Sequence, residues 1–298
     1  MRILVTGGSG FLGSHIAEEL VHRGHDVISL DDRDPPTAGY EAVIGDIRDR
    51  EVVEQAMAGC GAVYHCAAIA DLDQARSEPR RATEVNVLGT LGVLEAAASL
   101  GVNRFMHASS VYVYARGGSV YRTTKRAAEG LVGDLSGMWG LQSTILRFGS
   151  LYGPRADANN AISRLIHQAV SQKRIDFWGN GSEVREYVHI LDAASLAVDA
   201  LDETYVGQAL HVTGHERMTT REVIEMITEM IGEDIEVNFN DEPFEGRYRL
   251  SPYALEGDSG RRMMGRTYVD LGLGLLELMR DATEAPNSVR SPDRGDLG

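Results

Sequence analysis

Over the first 110 positions, short runs of β-branched and aliphatic residues alternate with longer stretches in which apolar positions recur every three or four residues. These are the periods of a buried strand and of a one-sided helix. RILVTG predicts a strand, and GFLGSHIAEELVHRG behind it has helical spacing that stops at Gly24. HDVISLDD and EAVIGD read as a second and a third strand, with the helical stretch DREVVEQAMAGC following. AVYHCAA and RFMHASS are further strands, separated by the long helix TEVNVLGTLGVLEAAASLG, whose Val85, Val87, Leu91 and Leu94 are expected in the core. Strands alternating with helices predict an α/β fold with a doubly wound parallel sheet, whose ligands gather at the carboxyl ends of the strands.

Composition narrows the function. A chain of 298 residues, 43% hydrophobic and 24% charged, can bury one large core with a smaller appended lobe. Its formal charge of -15 opposes a sequence-independent grip on nucleic acid or on an anionic membrane, since both need clustered positive charge. Cys60 and Cys66 lack metal spacing and are too few for a disulfide framework, which suits a reducing cytoplasm. No apolar run approaches membrane-spanning length, and MRILVTGG lacks the layout of a signal peptide, so a soluble cytoplasmic protein is expected. His211 and His215 are four apart without an acidic third ligand, so no metal is expected. His65 and His107 fall on interior strands and read as satisfied core histidines.

The first strand ends in TGGSGFLG, with Gly7, Gly10 and Gly13 each three apart and a helix opening on them. Glycine admits positive φ and lets backbone approach a pyrophosphate, while the N–H groups and positive dipole end of the helix face the anion. Asp31 closes the second strand about 20 residues on, where a carboxylate accepts hydrogen bonds from an adenosine ribose and repels a 2′-phosphate. A dinucleotide site follows, for NAD rather than NADP. Arg33, two residues beyond Asp31, is the feature that favours NADP.

The glycine spacing, followed in order by GDIRD, YHCAA, EVNVLGT, ASSVYVY and YRTTK, resembles the extended short-chain dehydrogenase/reductase family, especially its nucleotide-sugar epimerase branch. The resemblance spans about residues 1–275. It implies a Rossmann-type NAD-binding domain over 1–155, to which 183–200 returns, and a smaller substrate lobe over 156–182 and 201–280; the polar composition of 281–298, rich in Pro, Asp and Ser, reads as a loose tail. It also implies that Phe11 and Leu12 follow the phosphate turn, that Asp32 and Arg33 lie beside Asp31, and that Asp46 and Ile47 flank the adenine. Cys66, Ala67 and Ala68 would line the cofactor, Ser109 and Phe148 would border it, and Asn86 would stabilise the site from the neighbouring helix. Tyr121 and Lys125 match the family's Tyr-x-x-x-Lys pair, and Ser110 its catalytic serine or threonine.

Of 29 basic residues only Lys125 and Lys173 are lysines, so the choice at 125 needs a reason. Residues i and i+4 share a helix face, which lets Tyr121 and Lys125 enter one cleft. A compact ammonium on a slim stem can contact ribose hydroxyls where a guanidinium fork would crowd them. A tyrosine hydroxyl is a poor base near neutral pH, and the expectation is that the ammonium and a positive nicotinamide ring together lower its pKa.

The second half supplies the substrate side. LRFGSLYGPR resembles the family segment written with Asn-x-Tyr-Gly-Pro, with Ser150 where the asparagine is common. FWGNGSEVREYVHILD resembles the strand whose arginine grips the diphosphate, and Arg185 matches that arginine; guanidinium suits phosphate. Arg249 and Arg261 are candidates for a second phosphate contact. Thr219 with Glu222 forms a capping-box signature that starts a helix and serves structure only. Ser110 and Tyr121 are only 11 positions apart, closer than in relatives, so a more open substrate mouth is expected. Val111 and Tyr112 stand where dehydratases of the family carry an Asp-Glu pair.

Together these readings imply an NAD-dependent 4-epimerase of a nucleoside-diphosphate sugar, most simply a UDP-sugar, acting as a homodimer through helices near 83–100 and 121–137. A net NAD(P)-dependent reductase using the same trio, and a dinucleotide-sensing protein without turnover, stay open at this stage.

Overall fold

The computed structural model describes residues 1–37, 39–115, 119–232, 234–240, 260–265 and 267–284. In chain order it begins β1 (Arg2–Thr6), α1 (Phe11–His22), β2 (Asp26–Asp31), β3 (Glu41–Ile44), α2 (Arg50–Met57) and β4 (Ala62–His65). Short helices α3 (Leu72–Ser77) and α4 (Pro79–Thr83) lead through a π-helical turn, Glu84–Gly89, into α5 (Thr90–Ser99). Then come β5 (Arg104–Ser110), a 3₁₀ turn over Val111–Tyr114, α6 (Val120–Trp139), β6 (Gln142–Phe148), β7 (Ser150–Tyr152) and α7 (Ala161–His167). The rest is β8 (Arg174–Trp178), β9 (Val184–His189), α8 (Ile190–Asp199), β10 (Ala209–Val212), β11 (Arg217–Thr219), α9 (Thr220–Ile231), β12 (Glu236–Asn240), β13 (Arg261–Met263) and α10 (Leu271–Glu284).

Eight strands form one sheet in the order β13-β10-β6-β5-β4-β1-β2-β3, and every pairing in it is parallel. The order runs outward from β1 through β2 to β3 and then crosses to β4 on the other side. A crevice therefore opens at the carboxyl ends of β1 and β4, the place where a doubly wound sheet binds its ligand. One face of the sheet carries α1 and α8, through Ile16, Ala17, Leu20, Ala193 and Ala197 packed on Ile3 and Val5. The other carries α2, α5 and α6, through Val53, Met57, Val93, Leu94 and Val132 packed on Leu4, Val63 and Phe105. Burial on both faces explains why these strands read as continuous apolar runs. Of the four helix residues expected in the core, Leu94 is fully buried, while Val85, Val87 and Leu91 are half-buried.

A second core joins α7, α9 and α10 to β8 and β9 through Ile162, Leu165, Ile175, Val223, Ile227 and Leu275. Thr219 caps α9 with Glu222 as its spacing implies. The range 201–280 is not confined to this lobe, a correction to the expected boundary: β10 and β13 extend the main sheet, because β6 leaves an unpaired edge that they complete. The segment 183–200 is shared, with β9 paired to β7 and α8 packed on α1.

Candidate active site

The phosphate turn is built by close packing. Gly7 has φ +69°, and a Cβ there would lie 2.6 Å from the Ala67 nitrogen, so the loops after β1 and β4 pass with no space for a side chain. A Cβ on Gly13 would lie 2.1 Å from the Gly7 carbonyl, so the first turn of α1 sits directly on the loop. Gly10 is the N-cap of α1, extended and without a side-chain cap, and Phe11 and Leu12 start the helix. Its first N–H groups are therefore left for an external acceptor at the positive end of a 12-residue helix. This cradle fits a dinucleotide's pyrophosphate.

Asp31 faces the same turn. One carboxylate oxygen accepts from Ser9 N at 2.9 Å and the other from Arg33 N at 3.2 Å. Burial raises its pKa above the usual carboxylate value, against the pull of the Ser9 amide. Each oxygen keeps a second lone pair for a ribose hydroxyl. Asp32 and Arg33 are 68% and 70% exposed, and Arg33 Nε lies 3.7 Å from Asp31 and 3.6 Å from Asp32. Asp46, after β3, is clasped by Arg48, while Ile47 is buried.

The loop after β4 is held from two sides. Cys66 N donates to the Thr6 carbonyl at 3.0 Å, leading into Ala67 and Ala68, and burial pushes the Cys66 thiol up to about 12. Asn86, in the π-helical turn, accepts from Ile69 N at 2.7 Å and donates to Ile69 O at 3.0 Å and to Thr124 Oγ1 at 3.0 Å. It thus links the cofactor-side loop to the helix that carries Tyr121.

Ser119 caps α6 by accepting from Arg122 N, and Val120 opens the helix, so Tyr121 and Lys125 fall one turn apart on its buried face. Tyr121, 8% exposed, lies near enough to Ser110 for that hydroxyl to bear on its phenol, and its ring meets that of Tyr112 edge-on at 6.2 Å. Ser110 ends β5 and caps the following 3₁₀ turn by accepting from Tyr112 N. Lys125, 4% exposed, donates Nζ to the Ala108 carbonyl at 2.8 Å.

The expected lowering of the Tyr121 pKa is not what the protein alone produces. Burial dominates and pushes the phenol up to about 12, with the Ser110 hydrogen bond pulling the other way. The same burial lowers the Lys125 ammonium to about 8. Both groups are strongly perturbed, the signature of a functional cleft.

Ser109 donates its hydroxyl to Glu129 at 2.6 Å, and the Phe148 ring packs in the core with residues of α1 and α8. Of the two core histidines, His65 is satisfied by Thr6 and Thr90, but His107, stacked on it at 5.6 Å, has no hydrogen-bond partner among the described residues.

On the substrate side, Ser150 opens β7 and pairs with Tyr187 of β9, and Arg185 lies on the same strand, buried to 8%, with Nη1 on the Val184 carbonyl. Tyr187 was not anticipated; it is buried and shares the alternation of β9 with Arg185. Arg249 lies outside the described residues. Arg261 does not join the group: it begins β13 at the sheet edge, exposed, opposite Leu210 and 5.6 Å from the Tyr205 ring. A cavity of about 390 Å³ between α8 and residues 264–271 holds none of Ser110, Tyr121 or Lys125 in its walls.

A sequence profile of the NAD dependent epimerase/dehydratase family matches residues 3–212. The chain belongs to that family. NAD is accordingly its cofactor, and the turn around Gly7, Gly10 and Gly13 with Asp31 is the part of this chain that fits it. An uncharacterized UDP-glucose epimerase of Bacillus subtilis (strain 168) is 29% identical over 272 residues, covering 81% of this chain and 85% of that protein. A dTDP-glucose 4,6-dehydratase of Mycobacterium tuberculosis is likewise 29% identical, covering 78% of each. Among solved structures, the UDP-glucose 4-epimerase of Thermus thermophilus in complex with NAD is 30% identical, with a TM-score of 0.80 over 95% of this chain and 99% of that one. Membership explains the order of the motifs. It leaves the choice between epimerase and dehydratase to the residues around Ser110.

Proposed function

We propose that the protein is an NAD-dependent 4-epimerase of nucleoside-diphosphate sugars, with UDP-sugars as its substrates. The observation that carries this reading is the placing of Ser110, at the end of β5, beside Tyr121 on the buried face of α6, with Val111 and Tyr112 directly after Ser110. Water elimination needs a second acid and base near the first, and neither an alkyl group nor a phenol packed against Tyr121 supplies one.

NAD, which the turn at Gly7, Gly10 and Gly13 with Asp31 would hold, would supply the acceptor and donor of hydride for sugar carbon 4. Tyr121 accepts the proton of the 4-hydroxyl through its phenolate and returns it once the carbonyl has been reduced on the other face, so protons balance over the cycle. Ser110 donates to the reacting oxygen as charge builds there. Lys125, one helical turn from Tyr121 on the same buried face of α6, would supply positive charge that favours the phenolate. Arg185 holds the diphosphate while the 4-keto sugar turns about it.

Two of the named relatives, the Bacillus subtilis and Thermus thermophilus proteins, are named for UDP-glucose and support a UDP-sugar, while the Mycobacterium tuberculosis protein is named for a dTDP-sugar. Exposed Leu88 (57%) and Met138 (75%), on the π-helical turn and α6, support a homodimer through the helices near 83–100 and 121–137, and two free cysteines suit the cytoplasm. A net dehydrogenase would use the same trio but change one cofactor per product. The test incubates protein with UDP-glucose, UDP-galactose, UDP-glucuronate and their N-acetyl relatives, following sugar configuration by NMR and reduced nicotinamide by absorbance. Inversion at carbon 4 without stoichiometric NADH is expected for at least one sugar. Stoichiometric NADH, or loss of water from the sugar, overturns the reading.

A further inference from the structure

Tyr121, Lys125 and Glu129 recur every four residues on α6 and share one face of it. Glu129 is tied from three directions: it accepts from Ser109 Oγ at 2.6 Å, from Arg147 Nε at 2.9 Å and from Arg147 Nη2 at 2.7 Å. Arg147 Nη1 reaches the Tyr114 hydroxyl, with its guanidinium carbon 5.0 Å from that ring's centre, and the hydroxyl meets His211 Nε2 at 3.0 Å. A guanidinium can only donate, so the Tyr114 hydroxyl accepts from Arg147 and gives its own proton to His211. Burial keeps His211 neutral, at about 4, ready to accept it. One chain of bonds therefore crosses from β5 through α6 and β6 to β10.

Its ion pair is 15% and 11% exposed, and burying such a pair carries a desolvation cost that well-packed apolar side chains avoid. Its geometry shows what the cost secures. Lys125 grips Ala108 and Glu129 grips Ser109, so two successive turns of α6 hold two successive residues of β5. The next residue is Ser110, whose hydroxyl accepts from Tyr112 N, and the Tyr112 ring meets that of Tyr121.

We propose that Glu129 is a positioning residue for the reaction, setting the register of β5 against α6 through Ser109 and placing a fixed negative charge one helical turn from Lys125. The turnover part of this inference rests on the epimerase reading; the electrostatic part does not. Lys125 is faced by Tyr121 and Glu129 from its own helix, by Cys66 and His65 from the end of β4, and by His107 of β5. Burial holds both histidines neutral and raises the Cys66 thiol and the Tyr121 phenol to about 12. Among these neighbours Glu129 is the one held in an ion pair, with Arg147.

The chain's two lysines make this directly measurable. Protein grown with ¹³C-lysine gives two ε-methylene signals, and Lys173→Arg assigns them. Removing a nearby negative charge destabilises the ammonium, so in Glu129→Gln the Lys125 titration midpoint should fall by about one pH unit, while Lys173 stays put and Glu129→Asp recovers most of the shift. Turnover should drop about tenfold in kcat with KM kept, and the alkaline limb of the pH profile should move to lower pH. An unmoved Lys125 midpoint in folded Glu129→Gln overturns the proposal, and because no substrate is needed it does so even if the wild type is inert toward every sugar nucleotide. Should Glu129→Gln not fold, Ser109→Ala cuts the strand tie alone: a severalfold loss in kcat with KM and the Lys125 midpoint unchanged is expected, and an unchanged kcat overturns the positioning role.

Discussion

The Nζ of Lys125 donates to the carbonyl of Ala108 at 2.8 Å, two residues before Ser110. An ammonium is thereby held inside the protein by a neutral acceptor, with burial lowering its pKa from 10.5 to about 8. The sign follows from linkage: below about pH 8 the folded state carries the whole penalty of the buried charge, and between about 8 and 10.5 the unfolded chain binds more protons, so stability recovers as pH rises.

Lys125→Met should therefore be more stable than the wild type near pH 7 by up to about 3 kcal/mol in cofactor-free protein, with turnover lost. The gap should shrink as pH rises from about 8 towards 10.5. Chemical denaturation at a series of pH values checks this, and a gap that does not depend on pH refutes it.

Tyr121→Phe keeps the ring against Tyr112 and removes the acid/base group. Turnover should fall by about 10²–10⁴-fold while NAD binding is retained, measured by progress curves and by calorimetry on the same samples. Turnover near the wild-type rate would mean another group moves the proton.

Asp31 sets the cofactor. A 2′-phosphate would meet its carboxylate beside the Ser9 amide, so NAD should bind at least about tenfold more tightly than NADP, and Asp31→Asn should narrow the difference. Equal affinities for the wild type in a calorimetric titration would place the ribose specificity on Arg33.

Arg185→Ala removes a buried guanidinium from β9. KM for the sugar nucleotide should rise by roughly 10- to 150-fold, about 1.5 to 3 kcal/mol for a charge-assisted bond, with NAD affinity unchanged. Unchanged kinetics would make the arginine structural, serving β9 through the Val184 carbonyl.

The alternation of strand and helix, the turn at Gly7, Gly10 and Gly13, the carboxylate of Asp31 and the four-residue step from Tyr121 to Lys125 were all legible in the sequence. Each depends on local geometry: the period of a strand or helix, the conformational freedom of glycine, or the shared face of one helix. The spacing that pairs Tyr121 with Lys125 also reaches Glu129, a signal that was present but unremarkable without its partners. What only the tertiary structure decided involves contacts between residues far apart in sequence. Glu129 and Arg147 meet because α6 crosses β6, and Ser109 turns to Glu129 because β5 lies beneath that helix. Arg261 looked like a phosphate ligand by residue type, yet parallel pairing of β13 with β10 puts it at the sheet edge beside Leu210. The direction of the Tyr121 shift belongs to the same class. Sequence places an ammonium four residues away and argues for lowering, but how deeply the phenol is buried is fixed by what the fold packs around it, and there desolvation outweighs the pull of Ser110.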